Sequence, residues 1–133
     1  MSTIGAPTAA LCSVIVSVAL VGCAGLSQGA RPADFPFHAS VDRFELHWRI
    51  VQENGVVRAE GLVETTLSRV LSAMLELRGV DKNGRVVSRT LGSAHWGFQM
   101  SGLAPFAVEV RRGGEEDRFE IGIQSFTVVP ARR

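Results

Sequence analysis

The sequence has no excess of either charge: 14 Lys and Arg stand against 13 Asp and Glu, a formal net charge of +1. Affinity for a phosphate backbone needs surplus cations on one face, so nucleic acid is not expected as a partner. Charge is missing altogether from Met1 to Ala30, and every charged side chain falls from Arg31 onward. Cysteine is limited to Cys12 and Cys23, and 133 residues admit one domain with or without a leader. Catalytic patterns are missing as well. Nucleophilic catalysis needs Ser, Cys or Thr beside an oriented base, and no local nucleophile motif accompanies His38, His47 or His95. No pair of His, Cys or carboxylate residues shows ligand spacing along one element, so neither a metal nor another cofactor is expected. These absences point away from an enzyme.

The uncharged start has a pattern of its own. Ala9 to Gly22 is an apolar run of 14 residues, shorter than the ~20 needed to cross hydrocarbon and suited to the h-region of a signal peptide. It ends in Leu20-Val21-Gly22-Cys23, followed by Ala24. This resembles the lipobox of bacterial lipoproteins, with an aliphatic residue three places before the cysteine and a small residue directly before it. The resemblance implies a diacylglyceryl group on Cys23, cleavage after Gly22 and acylation of the new amine, an anchor of more than one chain. Cys12 would leave too short an h-region. The mature domain then has no disulfide and must be stable through packing alone. Residues 1–22 read as signal peptide, 23–40 as a flexible tether with breaks at Gly25, Gly29, Pro32 and Pro36, and 41–130 as the folded domain. By resemblance to lipoprotein sorting, Ala24 points to the outer membrane, facing the periplasm.

From Phe44 the period is two. Phe44, Leu46, Trp48 and Ile50 share one face, and Glu45, His47 and Arg49 the other, where His47 is expected to be solvated. Asn54-Gly55 predicts a two-residue hairpin turn, because both central residues of a type I′ turn need positive φ. A strand over Val57–Glu64 follows. Ser68–Val80 fits either period, but it runs into the turn Asp81-Lys82-Asn83-Gly84 and then Arg85–Thr90, so a hairpin is preferred to a helix. An edge strand is expected over His95–Met100, then strands Phe106–Arg111 and Phe119–Gln124, the last running on to Val128. Glu115-Glu116-Asp117 reads as a solvated turn facing Arg111-Arg112. Some seven short strands without a helix predict an all-β, antiparallel β-sandwich, whose immunoglobulin-like character is what the resemblance below implies. Its core is expected to hold Trp48, Leu75, Leu77, Phe106, Phe119, Ile121 and Ile123.

From about Val57 to Val129, the order of a long apolar strand ending at Asp81 and Gly84, Arg85-Val86-Val87, then Pro105-Phe106, resembles the FxLYD-type immunoglobulin-like domains of bacterial exported proteins. The motif position falls on Leu77-Arg78-Gly79-Val80-Asp81, where Asp81 matches and Leu, Gly and Val replace Phe, Leu and Tyr. The resemblance implies a fold and an extracytoplasmic location, but no reaction.

One segment reads as a partner surface. Trp96, Phe98 and Met100 alternate between Gly92 and Gly102, which suits either a core strand or an apolar patch for a protein partner in the envelope. The functional expectation is a lipid-anchored binding or envelope-assembly module. The alternative is a carbohydrate-binding or accessory subunit of an envelope enzyme, with Trp96 or Trp48 as a stacking platform.

Overall fold

A computed structural model of the chain describes residues 29–132. Seven strands form in chain order: β1 (Phe37–Val41), β2 (Phe44–Glu53), β3 (Val56–Thr65), β4 (Val70–Val80), β5 (Val86–His95), β6 (Gly102–Arg111) and β7 (Arg118–Val128). Sheet A has the order β1-β2-β3-β6 and sheet B the order β5-β4-β7, with every pair antiparallel. The all-β sandwich expected from the period-2 pattern is therefore the fold. Its four-plus-three division is that of immunoglobulin constant-type sandwiches, while the order along each sheet is its own, with β6 beside β3.

Two tight hairpins set the registers of sheet A. Asn54 (φ 50°) and Gly55 (φ 76°) both adopt positive φ, as a type I′ turn requires, and Glu53 pairs with Val56. The alternating residues Phe44 and Leu46 of β2, Val57, Ala59 and Val63 of β3, and Ala104, Phe106 and Val108 of β6 then all face inward. They meet Ala73, Leu75 and Leu77 of β4, Ala94 of β5 and Ile121 of β7 in one buried cluster. Leu75 and Leu77 lie on the same face, and this is the burial that decides Val70–Val80 for strand over helix. Trp48, Phe119 and Ile123, expected in the core, are half-buried and pack against its margin. Beyond Trp48, β2 has no β1 neighbour, because β1 begins at Phe37, opposite Trp48.

Three local expectations are corrected. Phe37–Ser40, assigned to the tether, belong to β1, and the preceding Pro32–Asp34 form a single 3-10 turn in which the Asp34 carboxylate accepts the Arg31 N–H at 2.8 Å. His95–Met100 is not an edge strand. β5 ends at His95, and Gly97–Gln99 make a 3-10 turn closed by Met100 in the left-handed region (φ 51°). The run Glu115–Asp117 is not wholly solvated, because the side chain of Glu116 is buried in the β6–β7 crossover. Its carboxylate accepts the N–H groups of Gly113 (2.7 Å) and Gly114 (2.8 Å), and the Asp117 N–H reaches the Val80 carbonyl at 2.8 Å. Gly79 leaves the space for this, since a Cβ there would run into Glu116 Cγ. The Gly113 N–H is the main cause holding the Glu116 carboxyl at about 2, below its ordinary 4.5, with further help from Gly114.

Gly61 of β3 is the tightest point of sheet A. A Cβ there would collide with the His47 carbonyl oxygen and press on Trp48 Cα at 2.7 Å. Gly61→Ala is expected to lower stability by about 2 to 3 kcal/mol through overpacking. Gly122→Ala, with open space around it, is expected to change stability by less than about 0.5 kcal/mol. Urea unfolding of the two variants checks the contrast. Glu116 generates a pH prediction. Its folded pKa lies below the unfolded value, so its stabilisation is complete above about 4.5 and is lost as pH falls toward about 2. The difference in melting temperature between the wild type and Glu116→Gln should therefore be largest at neutral pH and close toward pH 2.

Candidate functional site

The outer face of sheet A is built by the polar half of the β2 alternation. Glu45, His47 and Arg49 project there. The hairpin registers place Ser40 and His38 of β1 beside Glu45 and His47, and Glu64, Leu62 and Glu60 of β3 on the other side. Two groups of charges result.

In the first group, Glu60 is buried at 4% exposure yet fully paired. Oε1 accepts from Arg49 Nε at 2.6 Å and Oε2 from Arg58 Nε at 3.1 Å, and Arg58 also reaches Glu109 at 3.7 Å. Phe35 is buried outside the inter-sheet core, with the Arg49 guanidinium 5.7 Å from its ring centre. The segment before β1 thus lies over this face, and the arginine contributes a cation–π contact.

In the second group, His47 is central. Expected to be solvated, it is only 7% exposed, because β1 runs alongside it and sets the His38 ring edge-on at 5.0 Å between centres. His47 Nδ1 lies 2.7 Å from His38 Nδ1, so one ring donates and the other accepts. His47 Nε2 lies 3.3 Å from Glu64 Oε2 and 3.9 Å from Glu45 Oε2. One ligand atom from each of Glu45, His47 and Glu64 falls within 4.8 Å of the others, the one such group among the described residues able to hold a metal ion. Glu45 and Glu64 also line a shallow groove of about 240 Å³ with Ser40, Arg43, Thr65 and Thr66.

The sequence-level residues fare differently. Trp96 is a core residue at 5% exposure, its Nε1–H donating to the Gly102 carbonyl at 3.0 Å and its ring 6.0 Å from Phe44. Met100 is half-buried, whereas Phe98 is fully exposed on the 3-10 turn. The three therefore share no surface, because the turn at Gly97 (φ 58°) breaks the strand that would have aligned them. Cys23 lies outside the described residues. Of the FxLYD-like stretch, Leu77 is core, Gly79 seats Glu116, and Asp81 caps its turn by accepting from the N–H groups of Asn83 and Arg85 at 2.9 Å. His95 stays at the surface, 3.0 Å from Ser93 Oγ. The Glu45–His47–Glu64 group escaped sequence reading because its third member comes from another strand, although the Asn54–Gly55 turn carries the register that opposes Glu45 to Glu64.

Removing Glu60 tests how firmly this face is built. Glu60→Ala leaves Arg58 without its buried acceptor and is expected to cost about 3 kcal/mol, against less than about 1 kcal/mol for removing the exposed Arg89 partner of Glu76. Chemical denaturation of both variants measures the difference.

No protein-family model, curated protein or solved structure matches the chain.

Proposed function

We propose that the protein is a lipid-anchored extracytoplasmic module that works by binding a protein partner in the cell envelope, without catalysis of its own. The observation that carries this reading is the placement of the lipobox-like Leu20-Val21-Gly22-Cys23 directly before a folded domain. Phe35, the first buried residue among those described, follows Cys23 by only twelve positions. An extended chain of that length reaches about 40 Å, so an acylated Cys23 would hold the sandwich close to a bilayer surface. Among the described residues no helix is long and apolar enough to cross a membrane, and in this reading the acyl chains on Cys23 make the attachment. By its resemblance to sorted lipoproteins, with Ala24 after the cysteine, the chain belongs to the outer membrane and faces the periplasm. The extracytoplasmic setting is also what the FxLYD resemblance implies. Phe98, fully exposed on its turn, is the large apolar side chain most open to a partner among the described residues.

A carbohydrate-binding role has one favourable observation. Trp48 stacks with the half-exposed Phe37 at 5.7 Å between ring centres and an interplanar angle of 28°. That pair would form the platform, since Trp96 is enclosed.

Cys23→Ser tests the anchoring directly. The wild-type chain should incorporate a fatty-acyl label in the bacterial envelope and sediment with outer membranes, and the variant should accumulate as unlabelled precursor of higher mass. Acyl label retained by Cys23→Ser at the wild-type mobility would refute the anchor.

A further inference from the structure

We infer that Glu45, His47 and Glu64 form a binding site for a divalent transition-metal ion, zinc foremost, on the outer face of sheet A. The inference is independent of the lipid anchor. Four observations carry it.

The first is geometric. Ligands on a tetrahedral zinc at about 2.0 to 2.1 Å lie about 3.3 Å from one another. His47 Nε2 is already 3.3 Å from Glu64 Oε2 and 3.9 Å from Glu45 Oε2, and all three ligand atoms lie within 4.8 Å of one another, so rotation of the two partly exposed carboxylates can bring them onto one centre.

The second is electrostatic. Glu60, Glu76, Glu109 and Glu120 each lie within 4.0 Å of an arginine. Glu45 and Glu64 face each other directly across β2 and β3, and among the described residues neither has a Lys or Arg within 4.0 Å, their one close basic neighbour being the imidazole of His47. Like charges in directly opposed strand positions destabilise the pairing, and a divalent cation between them reverses that term.

The third is the ligand set. Calcium and magnesium take all-oxygen shells, whereas an imidazole with two carboxylates suits zinc and its first-row neighbours. Three protein ligands leave one position open, and the groove lined by Glu45 and Glu64 gives solvent a route to it.

The fourth is His38. A metal on His47 Nε2 requires the ring proton on Nδ1, and at 2.7 Å from that nitrogen stands His38 Nδ1, able to accept it. His38 is a positioning residue of the kind that orients a ligating histidine.

The test uses the full-length chain in mild detergent, stripped by chelator and titrated with zinc by calorimetry and with cobalt by visible absorption. The expected result is one zinc per chain with a dissociation constant of about 10 µM or tighter, and cobalt d–d bands that zinc abolishes. Glu45→Gln and Glu64→Gln change partly exposed side chains and should each leave the metal-free protein melting no lower than the wild type, since one of two opposed charges is removed, while weakening zinc about 100-fold. His38→Ala should weaken it about tenfold, and His95→Ala should leave it unchanged. Millimolar calcium should not displace zinc. Failure to bind zinc saturably, or a folded Glu45→Gln/Glu64→Gln double variant that binds as tightly as the wild type, would overturn the site and leave a histidine–carboxylate ion pair. Displacement by calcium would overturn the role of His47.

Discussion

The register of the β2–β3 hairpin is the constraint from which the rest of sheet A follows. A two-residue turn at Asn54-Gly55 admits one pairing, with Glu53 against Val56, and every later pair in the ladder is then determined. It sets Gly61 across from Trp48, where only a glycine lets the strands close. It sets Glu60 across from Arg49 and Glu45 across from Glu64. A slip of β3 by one residue against β2 would turn Val57, Ala59 and Val63 outward and dissolve both the core and the charge arrangement together. Fold and site are thus two faces of one pairing decision, and one turn dipeptide makes it.

What could be read in the sequence was what repeats locally. Alternation in Phe44–Ile50, the turn dipeptide and the paired apolar runs on either side of Asp81–Gly84 are short-range signals, and the strands they imply are present. What could not be read depends on coverage by distant chain. His47 occupies a polar position in its strand, and its burial comes from β1, drawn from a segment with little periodicity of its own. Glu116 sits in an acidic run typical of a solvated turn, yet the nest of Gly113 and Gly114 N–H groups gives its carboxylate a better partner than water. Trp96, Phe98 and Met100 alternate as a strand would, but Gly97 and Met100 both adopt positive φ and convert the run into a turn. Alternation was true of the letters and false of the backbone.

The same turn explains why one end of the sandwich is well closed. The Val70 N–H donates to the Met100 carbonyl at 2.9 Å, the Trp96 N–H to Leu71 at 3.0 Å, and the Val129 N–H to Arg69 at 2.8 Å. Met100 and Arg69 (φ 65°) are both left-handed without being glycine, a conformation that costs of order 1 kcal/mol and persists only where neighbours over-determine it. Here the neighbours are those backbone bonds and the Trp96 ring wedged against Phe44. The exposure of Phe98 follows from this arrangement. With Trp96 locked inward and the chain forced to reverse within three residues, the intervening aromatic can only point out.

Arginine supplies all but one of the basic side chains, and on the sheet faces it appears chiefly as a partner: Arg49 and Arg58 on Glu60, Arg78 and Arg89 on Glu76, Arg118 on Glu120. Its planar fork holds a carboxylate in a fixed geometry, which suits strands whose side chains stand in rows. Against that habit the His38–His47–Glu64–Glu45 row differs, because it meets carboxylates with imidazole instead of guanidinium. Guanidinium can only donate and never gives up its proton near neutrality, whereas imidazole can lose one and offer a lone pair. A face built for stability alone would be served by a third pair of arginines. Where imidazole replaces them, the row keeps a nitrogen lone pair that guanidinium lacks, and that is the chemical difference between this corner of sheet A and the arginine-paired carboxylates on the described sheet faces.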